Sequence, residues 1–572
     1  MKNFILKNKI FLFSLFISLF FYIPYFLNGD YVRDDWAIYS LSKETLIDAY
    51  KGIYLSFTSR PILPFFYVLV SRIIENFQAV FALNIIMLMT SVYVLNYIFK
   101  SFFRTQFSNF IFLIILLFPL FSYTNIFSPG MQICGNLSLL LWSISIFFLK
   151  KFNKNKNLKY IYLSNIFLLL ILFSYESTFP LFSLNVFYLS LLKEEKKFIF
   201  INIFYLLLSL LFALLIQKFI IPIFFEDISR FRISSNNFGH FAKILLLNLI
   251  IQFNVYFSAL DLFFKSFFSG LYFKELLNSI FIFTLILLFC KNIIKKKNNY
   301  FNYKSKYFFL FLFLFFFLNG LMHAVALTIP QFYSYNNRSL IGMSVLLSFF
   351  VIIVDQKIIN QNIKIFFFLI KVFIIIFSLN IVKHFQLQYV DQKNIEIFNI
   401  KKIINNNNEI LDSSSILIYS NNKNFFLKDI VTYENDNFDL DVRINNANIN
   451  SSYFAKINIY DINYLKFCSA EFMRESFYKE SLEKDFLNGK KIIAFNRDIS
   501  LEKYTYINNS NDLKTLFNCD SFLIPNNFQD KVLQVSKLLG LNDNRLYKYY
   551  VFENFFLDKF VTFALIIIKF FK

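Results

Sequence analysis

Glycine and proline are scarce, at 10 and 9 residues in a chain of 572. Helices in such a chain have few natural breaks. That fits poorly with a transporter built on Gly- or Pro-interrupted crossings. Cysteine is scarcer, at four residues, too few for a disulfide framework. Cys134 and Cys290 sit in apolar runs and read as packing residues. Cys468 and Cys519 lie in a polar tail, where one disulfide or two thiols fit equally well. His240 and His323 have no partner at metal-ligand spacing and read as structural residues. The chain has no Walker loop, GxGxxG, HExxH or CxxC, so nucleotide and zinc chemistry lack support.

What the chain has is apolar length. It is 57% hydrophobic with a mean hydropathy of +0.52. Runs such as FLFSLFISLFFYIPYFL, FIFLIILLFPLF and FFLFLFLFFFL persist well beyond those of a soluble core. About 20 apolar residues in a helix cross the roughly 30 Å hydrocarbon layer. A formal charge of +21 would point to nucleic acid in a soluble protein. The lysines argue otherwise. They cluster in short loops between apolar runs, at Lys150–Lys159 and at Lys291–Lys306. Such clusters mark cytoplasmic loops, and membrane lipids rather than nucleic acid are the expected surroundings.

The N-terminus carries Lys2, Lys7 and Lys9 ahead of an apolar stretch that runs to Leu27 without a small-x-small cleavage site. It reads as an uncleaved first helix that starts inside. Crossings are expected near 10–27, 78–99, 108–125, 131–149, 160–174, 177–192, 198–221, 271–291, 307–327, 339–355 and 362–382, about eleven in all. The segments 28–60 and 222–268 become large outer loops. The apolar run 61–74 is short and is expected to dip along the outer face. The run 244–260 is expected to lie flat in the outer interface, because crossing would send the following Lys cluster outside.

From 383 to 550 the chain is Asn-rich and polar, with strand candidates at 415–420, 491–495 and 521–525 and an amphipathic DKVLQVSKLLGL. A small α/β domain outside the cytoplasm is expected there, long enough to bury its own core. Residues 551–572 read as an apolar interfacial anchor, with a twelfth crossing as the alternative. The membrane domain is then 1–382, in a cytoplasmic (inner) membrane.

One stretch concentrates chemistry. Gly29-Asp30-Tyr31-Val32-Arg33-Asp34-Asp35-Trp36 follows the first crossing directly. Carboxylates packed this closely at a membrane exit raise one another's pKa, which suits acid–base work. On a helix, Asp30 and Asp34 would share a face. A solvated loop in which Asp34 or Asp30 caps the next helix fits the local pattern as well.

An acidic pair in the first outer loop resembles the GT-C membrane glycosyltransferases. The finer pattern is Asp34-Asp35-Trp36, then Arg60-Pro61 opening an apolar segment 25 residues after Asp35. It looks like the type-II Gtr family of O-antigen glucosyltransferases, where a DD pair precedes G-R-P. Here Ser59 stands for the glycine. Tyr175-Glu176 resembles that family's aromatic-polar outer turn, with Glu where Gln is commoner. The resemblance covers roughly 1–380 and implies a GT-C-like fold. It also implies a transferase that takes sugar from a polyprenyl-phosphate donor at the outer leaflet and passes it to a glycan acceptor. It implies an acidic first-loop residue as general base. Asp35 is the first choice for that base, and Asp34 the second, as an acceptor- or metal-binding group. A divalent metal is left open, and no other cofactor is called for.

A departing lipid phosphate needs cations. Arg60 and Arg338 lie at helix ends, Arg230 and Arg232 lie in the second large loop near His240, and with Asp30 and Glu176 they complete the candidate substrate-binding set. An arginine at a helix end can equally snorkel toward headgroups. Two further readings stand beside the transferase. A lipid-linked glycan flippase would want ionisable groups near the midplane. A glycan polymerase or ligase would depend on loop arginines more than on the acidic pair.

Overall fold

A computed structural model of the chain describes residues 2–32, 35–56, 60, 62–103, 106–130, 133–191, 196–216, 238–293, 305–333, 335–357, 361–406, 414–420, 459–463, 468, 482, 484–496, 504–517, 526–539 and 555–570. The contacts divide the chain into two compact units. One comprises Met1–Gly29 with Leu41–His384, and the other Asp30–Ser40 with Phe385–Lys572. The short acidic segment after the first helix therefore groups with the C-terminal residues.

The first unit is a bundle of apolar helices. Among the described residues, seven stretches are long and apolar enough to cross a membrane: Asn8–Asn28, Phe77–Phe102, Ile133–Asn155, Gly239–Phe268, Phe308–Val325, Asn337–Val354 and Ile365–Asn399. The chain is a polytopic helical membrane protein. Gln106–Ser122, Lys159–Ser174 and Lys197–Ser209, each expected to cross, are shorter apolar helices. Ile62–Ser71 is too short to cross, as its ten residues rise only about 15 Å. The run 244–260, expected to lie flat, belongs to a 30-residue stretch long enough to cross. That stretch is broken at Gln252–Phe253, where the helix Phe238–Ile251 gives way to Asn254–Phe268.

Side chains explain how the bundle holds. In the helix Gln106–Leu117 every residue from Phe107 onward is buried, the pattern of a helix surrounded by others. The first helix, Lys2–Asn28, is two-sided: Ser14, Ile17, Ser18 and Phe21 are buried, while Phe16, Phe20, Ile23 and Leu27 are exposed. A row of exposed phenylalanines is the lipid-facing side of such a helix. The Tyr22 hydroxyl donates to the Leu117 carbonyl, and the Tyr25 hydroxyl donates to the Phe127 carbonyl at 2.8 Å. Those two bonds tie the first helix to the central one and to the short helix Thr124–Phe127. Gly29 ends the first helix where a Cβ would meet the Tyr25 carbonyl at 2.4 Å. The buried Trp142 indole donates to the Leu181 carbonyl (3.2 Å) and to Asn185 Oδ1 (3.1 Å).

The second unit contains a four-stranded sheet of β1 (Ser414–Ser420), β2 (Ile459–Asn463), β3 (Lys491–Asn496) and β4 (Tyr504–Ile507), in the order β2-β1-β3-β4. β1 pairs parallel with both β2 and β3, and β4 runs antiparallel to β3. β1 and β3 fall on two of the three strand candidates, while 521–525 lies outside the described residues. Ile416, Leu417, Ile418 and Tyr419 are all buried, so β1 is covered on both faces, as its continuous apolar run requires. Asp485, buried, accepts from Ser415 Oγ (2.6 Å) and from the Tyr460 hydroxyl (2.7 Å), with Lys490 Nζ at 3.4 Å. Gly489, at φ +72°, makes the turn into β3, a left-handed conformation that suits glycine.

Two helices of this unit follow the amphipathic pattern. Asn526–Leu539 buries Val532, Val535 and Leu539, and Phe555–Phe570 buries Leu557, Val561, Ala564 and Ile568. Lys531 and Asp558 form an ion pair between them. At 16 residues, Phe555–Phe570 spans only about 24 Å. The helix Gln361–Asn406 is 46 residues long. Its Lys393 and Glu396, both buried, pair at 3.1 Å.

Candidate functional site

In the first unit, three of the candidate residues meet around one aromatic ring. Tyr175 follows the helix Lys159–Ser174 in extended conformation, and Glu176 opens the turn Glu176–Leu181. The turn is pinned from behind: Ser138 Oγ donates to the Tyr175 carbonyl at 2.6 Å. Arg60, just ahead of the helix Ile62–Ser71, forks onto Glu176, with Nε donating to Oε2 at 2.8 Å and Nη2 to Oε1. A bidentate guanidinium–carboxylate pair fixes both groups in one plane. The Arg60 guanidinium lies 5.1 Å from the Tyr175 ring centre, and that of Arg338 lies 5.8 Å from it. Both contacts are within cation–π range.

The electrostatics follow from this crowding. Burial works against the Arg60 charge, but the Glu176 carboxylate outweighs it and holds the guanidinium's pKa above its ordinary value. Burial pushes the Tyr175 phenol's pKa up, and Arg338 and Arg60 only partly oppose this, so the ring stays neutral. Two guanidiniums and one carboxylate thus converge on a buried neutral phenol.

Arg338 is placed by neutral amides. It lies in the turn Tyr335–Leu340 ahead of the helix Ile341–Lys357. Asn125 Nδ2 donates to the Arg338 carbonyl at 3.2 Å, and Asn337 Oδ1 accepts from the Thr124 amide at 3.4 Å. Asn84 Nδ2 donates to the Asn125 carbonyl, and Asn136 Nδ2 reaches Asn84 Oδ1 at 2.8 Å. All four asparagines are buried. Gly135 makes room for them, since a Cβ there would lie 2.2 Å from Asn125 Oδ1.

The acidic segment, in the second unit, has its own geometry. Residues 29–32 are not helical, so Asp30 stands outside a helix, and the helix Asp35–Ser40 begins at Asp35 itself. Asp35 is fully buried. Its Oδ2 accepts from the Val32 amide at 3.3 Å, and its own amide donates to the Val32 carbonyl at 3.1 Å. Asp30 Oδ1 accepts from the Tyr31 amide at 2.7 Å, and the Trp36 indole donates to the Tyr31 carbonyl at 3.0 Å. Burial, then Asp35 and Asp30, push the Tyr31 phenol's pKa well up. Val32 packs with Tyr389 and Val390 of the long helix, which is what holds the segment in this unit.

Arg60, Glu176 and Arg338 are therefore brought together, while Asp30 and Asp35 belong to the other unit. Asp34, Arg230 and Arg232 lie outside the described residues. His240 is half-buried on the helix Phe238–Ile251, and the buried His323 contacts Thr328 Oγ1 at 3.1 Å through Nδ1. No group of three or more His, Cys, Asp or Glu among the described residues could hold a metal ion. Cys468 is disulfide-bonded, and Cys134 is a buried free thiol. The residues that sequence reasoning missed are Asn84, Asn125, Asn136, Asn337, Ser138 and Gly135. Only Gly135, a lone glycine in an apolar helix, carries a readable signal, since such a glycine often marks a close approach. Comparisons with protein families, with curated proteins and with solved structures find no match to this chain.

Proposed function

We propose that the chain transfers a sugar from a polyprenyl-phosphate donor to a cell-surface glycan on the outer face of the cytoplasmic membrane. The observation that carries this reading is the meeting of Arg60 and Arg338 at the Tyr175 ring. A leaving lipid phosphate needs cations held in place before it departs, and paired guanidiniums supply them with forked geometry. Asp35, fully buried in the second unit, is taken as the base. In this reading its carboxylate takes the proton of the acceptor hydroxyl as that oxygen bonds the anomeric carbon. The bond from that carbon to the donor's phosphate oxygen breaks, and the phosphate leaves with the electron pair. Asp34 is the second choice for the base.

The proposal includes about eleven crossings, with the shorter helices crossing together with their flanking turns. It also places a C-terminal α/β domain, 383–550, on the non-cytoplasmic side. The disulfide at Cys468 supports that side, because such bonds persist in oxidising compartments. Surface glycans compared with and without the protein test the function directly: one sugar residue should be missing without it. Asp35→Asn should lower transfer at least about a hundredfold with insertion unchanged. Transfer within about twofold of wild type would remove Asp35 as the base.

A lipid-linked glycan flippase is the second reading. It is favoured by the break at Gln252–Phe253 amid buried Asn248, Gln252, Asn254 and Asn319. Gln252 Oε1 accepts from Asn319 Nδ2 at 2.9 Å, a polar contact inside an apolar bundle. Gln252→Leu should stop a flippase, whereas a transferase should tolerate it. A glycan polymerase or ligase would lose more from Arg338→Lys than from Asp35→Asn.

A further inference from the structure

Phosphate binding at Arg60 and Arg338 requires both guanidiniums to be held beside the ring. Arg60 is oriented by Glu176 through a forked pair. The turn that carries Arg338 is held at its backbone as well. The Asn125 amide donates to its carbonyl, and Asn125 Oδ1 has no donor among the described residues, so the amide's hold on the turn runs through Nδ2. Asn125 is itself fixed from two sides, as Asn84 and Asn136 both donate to its carbonyl. Its side chain occupies the volume that any residue but glycine would need at position 135. The adjoining Asn337 bonds the Thr124 amide and, through Nδ2, the Phe332 carbonyl at 3.0 Å, which locks the same turn from its other end.

We propose that Asn125 is a positioning residue for Arg338, and that Gly135 is the residue that admits it. Neither would touch substrate. Their role is to hold the Tyr335–Leu340 turn so that the Arg338 guanidinium stays over Tyr175, where a lipid-linked phosphate would bind. The inference rests on the anion-site reading of Arg60 and Arg338. Backbone anchoring of this kind matters because a guanidinium on an unanchored turn must be ordered each time an anion arrives.

The test uses the full chain in lipid nanodiscs and titrates farnesyl phosphate as a short polyprenyl-phosphate probe. Four variants are compared with wild type: Arg338→Ala, Arg60→Ala, Asn125→Leu and Gly135→Ala. Asn125→Leu keeps the volume and removes the donor. Gly135→Ala keeps the donor and displaces it. The expected result is loss of binding in both arginine variants. Asn125→Leu and Gly135→Ala should weaken binding about tenfold or more in the folded, monodisperse fraction. If Arg338→Ala and Arg60→Ala bind as wild type does, the anion-site reading fails and this inference falls with it. If the arginine variants lose binding while Asn125→Leu and Gly135→Ala stay within about twofold, the positioning role alone is overturned. If neither of those two yields a folded chain, the asparagines are a structural core, and the positioning role is likewise overturned.

Discussion

The surroundings of Arg338 and the C-terminal unit bury polar groups in different ways. In the membrane unit the deep polar residues beside Arg338 are neutral amides: Asn84, Asn125, Asn136 and Asn337. Charge enters that unit's site at Arg338 and in a part-buried pair, Arg60 with Glu176, whose side chains are 21% and 27% exposed. In the C-terminal unit whole carboxylates disappear from solvent: Asp35, Glu396 and Asp485 are each at most 3% exposed. Each is met by nearby donors, a backbone amide for Asp35, Lys393 for Glu396, and two hydroxyls for Asp485. Desolvating an ion costs several kcal/mol even when it is paired, whereas an amide that finds a partner costs far less. Around Arg338 precision therefore comes from asparagine, whereas Asp35, Glu396 and Asp485 supply it as charge.

Breaking a forked or fully buried charge should consequently cost more than breaking a neutral hydrogen bond. The largest effect is expected at Arg60→Met, which strands Glu176 beside a buried ring. A loss of about 2–3 kcal/mol should appear as a lowered melting temperature in detergent. Arg60→Met combined with Glu176→Gln should recover most of it, as a coupled pair does. A single variant that melts like wild type would reduce the pair to a surface contact. Next comes Asp485→Ala, which deprives the Ser415 and Tyr460 hydroxyls of their acceptor and should cost about 2 kcal/mol. Hydrogen exchange of β1 and β3 is the readout, and unchanged protection would refute the link between Asp485 and the sheet. Trp142→Phe should cost about 1 kcal/mol through its two lost bonds. Lys531→Ala removes one ammonium contact from a part-buried pair that lacks the fork of Arg60 with Glu176, and should cost less than about 1 kcal/mol; a larger loss would rank it with the forked pair.

How much of this could be read beforehand varies from element to element. Apolar length was plain, because a helix in lipid must satisfy its backbone alone and hide few polar groups. β1 and β3 were legible because SILIYS and KIIAF are short, β-branched and flanked by polar residues. The run 244–260 carries two opposed signals: the lysine rule, which governs the side a loop takes, favours a helix lying flat, whereas the stretch Gly239–Phe268 is by length and apolar composition long enough to cross. Arg60, Glu176 and Arg338 could each be picked out as charges beside apolar runs. Their meeting could not, since Arg60 and Glu176 are 116 residues apart and nothing local encodes the pairing. The asparagines were invisible for a different reason. In an Asn-rich chain a buried asparagine looks like any other until its neighbours are known.

The bond between Asn136 and Asn84 has a consequence for how the chain is made. Asn84 sits in Phe77–Phe99 and Asn136 in Ile133–Asn155, so neither helix is fully comfortable in hydrocarbon until the other arrives. The earlier helix should then linger at the insertion machinery during synthesis and be released to the bilayer only once its mate has emerged. A nascent chain stalled before Ile133 should crosslink to that machinery, and Asn84→Leu should let it go. Equal crosslinking of the two stalled chains would refute this order of assembly.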